Sequence, residues 1–124
     1  MEKRWVKISA KEQKLGRLAT KVAGLLIGKD LPNFQSNQGA LTHVVVVDCR
    51  DIVITTRRLT ENVYHHTGYI GNLKTTTRAE MSPTEVVRKA ISGMLPKNKT
   101  RRSLMQHLHC QLEHDHPFKQ YLNE

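Results

Sequence analysis

The pattern of apolar and polar positions sets out the architecture. Residues 43–48 (HVVVVD) hold four consecutive valines. Such a β-branched run lacks the in-out alternation of a half-exposed strand and reads as a strand covered on both faces, as in a parallel sheet under helices. Residues 5–8 (WVKI) and 52–55 (IVIT) are shorter strand candidates, the latter reached by a turn at Arg50 and Asp51. Leu108, Cys110 and Leu112 alternate and predict a last strand. Between strands the period changes. Leu15, Leu18, Ala19, Val22, Leu25 and Leu26 recur at helical spacing and stop near Gly28. A second helix opens at Ser82-Pro83-Thr84-Glu85, which combines a capping box with proline at the first helical position. Its apolar stripe is Val86, Val87, Ala90, Ile91, Met94 and Leu95, Arg88 and Lys89 project outward, and Pro96 stops it. Leu104, Met105 and Leu108 predict a short third helix, and residues 113–124 an irregular tail. Strands alternating with helices give an α/β class: one domain over residues 1–124, with a central, mostly parallel sheet flanked by helices in three layers, α/β/α.

Two polar stretches do not belong to this core. Residues 57–74 (RRLTENVYHHTGYIGNLK) combine cations, adjacent histidines, tyrosines and glycines without a long apolar run. Residues 97–102 (KNKTRR) pack four cations into six positions. The whole chain of 124 residues carries 20 Lys+Arg against 11 Asp+Glu, a formal charge of +9. Self-repulsion at that excess is relieved by a polyanion, and nucleic acid is the leading partner class. Cations with stacking rings and flexible backbone favour RNA over duplex DNA, for which no recognition helix stands out. The candidate RNA-binding residues are Arg17 and Lys21 on the outer face of the first helix; Arg57, Arg58, Tyr64, His65, His66, Thr67, Gly68, Tyr69, Gly71 and Lys74 in the first polar stretch; and Lys97, Asn98, Lys99, Arg101 and Arg102 in the second. Arginines and lysines neutralise phosphates, the rings face bases or riboses, and Gly68 and Gly71 allow close backbone approach with positive φ. Tyr64 follows Val63, so in a strand one of the two faces inward.

Other chemistry finds less support. Residues 24–29 (GLLIGK) miss the phosphate-loop pattern: three residues separate the glycines, Asp30 replaces the hydroxyl residue, and the glycines end a helix. No dinucleotide fingerprint exists, and no cofactor is implied. His65 and His66 point to opposite sides of an extended segment, and His114 and His116 lack a third converging ligand, so exposed, hydrogen-bonding histidines are expected instead of a metal site. Cys49 and Cys110 read as small core residues of a reducing compartment. No apolar run approaches a membrane span. The strand pattern starts at Trp5, so the folded domain is expected to begin almost at Met1, with neither secretory signal nor transit peptide. No nucleophile motif is present. A small metal- or histidine-dependent enzyme on this fold stays as the alternative class, since α/β folds host many enzymes.

Four blocks of residues, in order, resemble one family. They are LGRLAT at 15–20 with Val22-Ala23 and Gly28-Lys29; Val44 to Val47; VYHHTGYIG at 63–71 with Leu73-Lys74; and GMLPKN at 93–98. Together they resemble the bacterial and organellar form of large-subunit ribosomal protein thirteen. The resemblance implies an α/β domain that binds large-subunit rRNA directly, early in subunit assembly, beside neighbouring ribosomal proteins, without catalysis, membrane or small-molecule substrate. The chain departs from the family pattern at Thr56-Arg57-Arg58, where a Thr-Gly-x-Lys turn is usual. It departs also at Gly71-Asn72 in place of a glycine pair, at Asp48-Cys49 in place of Asn-Ala, and around Phe118. It is also short at both ends relative to that pattern. Such erosion favours a mitochondrial ribosome, with bacterial cytoplasm or a plastid as the alternatives.

Overall fold

The computed structural model describes residues 4–32, 42–54 and 60–122. Strand β1 (Arg4–Ser9) leads through a turn into helix α1 (Leu15–Ile27), which returns the chain to β2 (Thr42–Val47). Strands β3 (Asn62–His66) and β4 (Leu73–Thr77) form a separate antiparallel hairpin. Helices α2 (Pro83–Met94) and α3 (Thr100–Gln106) then lead to β5 (Leu108–Cys110). The main sheet has the order β1-β2-β5 and is parallel throughout, with Trp5 opposite His43 and Val46 opposite Cys110. The α/β class and the parallel sheet are therefore as the sequence implies.

The valine run explains why β2 is central: Val44, Val45, Val46 and Val47 are all fully buried. Alternation sends Val44 and Val46 to the face packed by α1 and α2, where Leu18, Val22, Leu26, Val87 and Ile91 complete one core. Helix α1 ends as its glycine demands. Gly28 adopts φ 89°, and its N–H bonds back to the Gly24 carbonyl. Helix α2 begins at Ser82, whose hydroxyl accepts the Glu85 N–H at 3.4 Å, with Pro83 in the first turn.

The opposite face carries the third layer, and here it is the tail. Trp5 stacks on His43 at 4.2 Å and on Tyr121 at 4.5 Å, while His109 meets Phe118 at 4.4 Å. The tail thus lays Phe118 and Tyr121 over the sheet, with a 3-10 turn at Lys119–Tyr121. No helix among the described residues is long and apolar enough to cross a membrane.

Several local expectations need correction. Residues 52–54 are not a strand. A 3-10 turn at Cys49–Asp51 redirects the chain, and Val53 makes one isolated bridge to Lys14; Thr55 lies outside the described residues. Leu108 belongs to β5 and not to the third helix, while Leu112 has already left the strand and is exposed. Arg88 does not project outward: its guanidinium donates to the Leu108 carbonyl at 3.1 Å and ties α2 to β5.

Candidate nucleic-acid interface

The hairpin stands clear of the core. Every residue from 64 to 76 is exposed. The pairing Tyr64↔Thr75, His65↔Lys74 and His66↔Leu73 fixes its faces. Tyr64, His66 and Leu73 lie on one face, and Val63, His65 and Lys74 on the other. Val63 is half-buried and Tyr64 is 62% exposed, so Tyr64 is the outward member of that pair. The Gly68 N–H donates to His66 Nδ1 at 2.9 Å. A neutral His66 therefore carries its proton on the exposed Nε2, a donor available to phosphate or ribose. Both hairpin glycines adopt positive φ, 95° at Gly68 and 80° at Gly71. At the hairpin's foot the Arg78 guanidinium binds Glu61 at 2.9 Å, which satisfies the acid nearest to β3. Residues 62–79 contain no Asp or Glu, so nothing on the ribbon repels an anion.

Cations continue onto the body. A groove of about 640 Å³ between α1 and α2 is rimmed by Lys14, Arg17, Arg78 and Lys89 above an apolar floor that includes Ala90 and Met94. It adjoins a crevice of about 280 Å³ at the hairpin's foot, which shares Arg78 and Lys89 and adds Val63 and Tyr64. On the other flank of α2 an open groove of about 640 Å³ is lined by Arg88, Asn98, Lys99, Arg101 and Arg102. Lys97, Asn98, Lys99 and Arg102 are exposed and Arg101 is half-buried. The candidates Arg17, Lys21, Tyr64, His65, His66, Thr67, Gly68, Tyr69, Gly71 and Lys74 are all exposed. Arg57 and Arg58 lie outside the described residues.

The groove residues Lys14, Arg78 and Lys89 were not candidates on sequence. Lys14 and Lys89 lie 75 positions apart, and only the packing of α1 on α2 brings them to one groove.

The histidines differ by their place in the fold. Those of the hairpin are exposed, as expected. His43, His107 and His109 instead stack behind Trp5, with ring separations of 4.0 Å for His43–His107 and a 3.3 Å contact between His43 Nδ1 and His109 Nε2. Burial, the neighbouring His107 and then Arg88 push the His109 pKa below the ordinary histidine value. His116 is buried, not exposed, and accepts the Phe118 N–H, whereas exposed His114 bonds Asp48. These two histidines thus have separate duties. Among the described residues no group of three His, Cys, Asp or Glu could hold a metal ion. Cys49 is buried and Cys110 half-buried, and both are free thiols. The neighbouring Cys49 and burial push the Cys110 thiol up.

This arrangement can bind a polyanion along a ribbon and two grooves. Comparison with known proteins identifies the family. The sequence profile described as Ribosomal protein L13 matches residues 3–117. The chain belongs to the ribosomal protein L13 family. It is 39% identical over 122 residues to the large ribosomal subunit protein uL13 of Clostridioides difficile, covering 94% of this chain and 85% of that protein. It is 37% identical over 126 residues to uL13 of Leuconostoc citreum, with 97% and 86% covered. Against uL13 of Thermotoga maritima the figures are 35% over 121 residues, with 94% and 81% covered. These L13 relatives are bacterial, and they lend no support to the mitochondrial assignment drawn from the eroded motifs.

Proposed function

We propose that the protein is a structural constituent of the large subunit of a bacterial-type ribosome, that it binds large-subunit rRNA directly, and that it acts in subunit assembly beside neighbouring ribosomal proteins. Family membership across residues 3–117 carries this reading. The charge of +9, the acid-free ribbon and the cation-rimmed grooves on both flanks of α2 agree with it. In this account Lys74, Arg17, Lys21, Lys97, Lys99, Arg101 and Arg102 neutralise phosphates, joined by Arg57 and Arg58. Tyr64, His65 and His66 offer ring faces and polar atoms to bases and 2′-hydroxyls, and Thr67, Gly68, Tyr69 and Gly71 shape the approach. Asn98 accompanies the second cluster. The Lys14, Arg78 and Lys89 rim extends the surface between the ribbon and α1.

The test replaces Lys97, Lys99 and Arg102 with alanine together. All three side chains are exposed, so the thermal transition should hold. If each meets one phosphate, the salt slope of rRNA binding should fall by roughly 2, at about 0.7 per single-stranded phosphate contact. An unchanged slope would remove the second cluster from the interface.

A further inference from the structure

The tip of the hairpin is apolar where the rest of the ribbon is polar. Ile70 is 104% exposed, as open as in an extended chain, and Tyr69 is 74% exposed. Leu73 follows at 58%. Nothing in the described chain covers them. The position is also set by the backbone. The Asn72 N–H bonds the Tyr69 carbonyl at 3.3 Å, and Gly71, third of those four residues, has φ 80°. That combination is the signature of a type II turn, which places Ile70 at the outer corner. Gly68, also at positive φ, bends the chain on the other side of Tyr69. An aromatic and a β-branched side chain are thus held at the apex of a turn, with two glycines fixing its shape.

We infer that this tip is a wedge: Tyr69 and Ile70 enter an unstacked step of the rRNA, at a bulge or internal loop, Tyr69 stacking on a base and Ile70 filling the space beside it. The inference rests on the reading that the chain binds large-subunit rRNA. RNA rather than protein is favoured by what surrounds the tip. Lys74 and His65 line one face of the ribbon and Tyr64 and His66 the other, and no acid lies between residues 62 and 79. Phosphates on both sides of an opened step would meet cations or ring N–H donors, while the apolar apex would meet bases. Unstacked bases present the π faces that an aromatic ring accepts, and apolar side chains inserted between steps are an established way to hold nucleic acid open. The wedge supplies affinity without charge, which separates it from the phosphate-binding groups.

The experiment measures binding of the full chain and of Y69A/I70S to transcribed bacterial large-subunit rRNA across a salt series. Both side chains are exposed, so the variant should melt with the wild type. The wild-type slope alone judges the rRNA reading. The wedge is judged by the vertical offset: the variant should bind roughly five- to a hundredfold more weakly at every salt concentration, the range of one lost base stack, with its slope unchanged. Y69F should bind within about twofold of the wild type, since it keeps the ring. A steep wild-type slope with no offset for Y69A/I70S overturns the wedge and leaves the rRNA reading standing. If that same variant binds rRNA normally but incorporates poorly into reconstituted large subunits, the tip meets a protein and the inference is also overturned.

Discussion

Ile91→Ala tests the packing on which every surface assignment depends. Ile91 is fully buried on α2, in the core that joins α1 to the helix-facing side of β2. The substitution removes three side-chain carbons. At about 0.8 kcal/mol per buried methylene the transfer loss is about 2.4 kcal/mol. The cavity left between two helices and a sheet adds to it, and the total should fall at about 3–4 kcal/mol, inside the usual range of roughly 2–5. Unfolding entropy near 2.1 cal/mol/K per residue makes the whole-chain value about 0.26 kcal/mol/K, so the thermal midpoint should drop by about 13 °C. Ile91→Val, one carbon smaller, should cost only about 1 kcal/mol. Urea titration with an unchanged m-value, paired with calorimetry, reads both. A loss under about 0.5 kcal/mol for Ile91→Ala would mean that the side chain is exposed and that the phase of α2, and hence the placement of Lys89 in the groove, is wrong.

Leu18→Ala, from the α1 side of the same core, should cost roughly 2–5 kcal/mol in the same titration. Gly28→Ala should cost roughly 1–2 kcal/mol, because φ 89° strains any residue with a Cβ, and the loss should show in the urea midpoint. Acid should destabilise the fold through His109. Its folded pKa lies below its unfolded value of about 6.5, so the folded state binds fewer protons, and stability present above that pH falls as pH drops toward the folded pKa. Thermal midpoints at pH 8 and pH 5.5 should therefore differ more for the wild type than for His109→Asn; equal differences would exclude His109 as the cause.

The helices were legible because their periods and stops agree: the apolar stripe of residues 15–26 ends at a glycine in the left-handed region, and Ser82-Pro83 starts the next stripe. The central strand was legible because four buried valines leave no other reading. Residues 52–54 misled because their β-branched composition records local preference, whereas a 3-10 turn just before them decides where the chain goes. The β3–β4 hairpin gave little signal, since neither strand has a buried apolar face to mark its period. The imidazole stack could not be found in sequence. His43 meets His107 and His109 only through the parallel register of β2 with β5, and the tail's Phe118 and Tyr121 fall over the same face. Of the candidate interface, the exposure of the polar stretches was readable from composition. The groove was not, because Lys14, Arg17, Arg78 and Lys89 come from three separate segments.

Whether the basic surface meets rRNA through its phosphates is read from the salt dependence of binding. Affinity of the full chain for transcribed large-subunit rRNA should fall linearly in log–log form with monovalent salt. A footprint of about five to eight phosphates sets a slope steeper than about −3, using the single-strand coefficient as the lower bound. A flat response, or binding no tighter than to a neutral polymer, would exclude phosphate contacts as the source of binding.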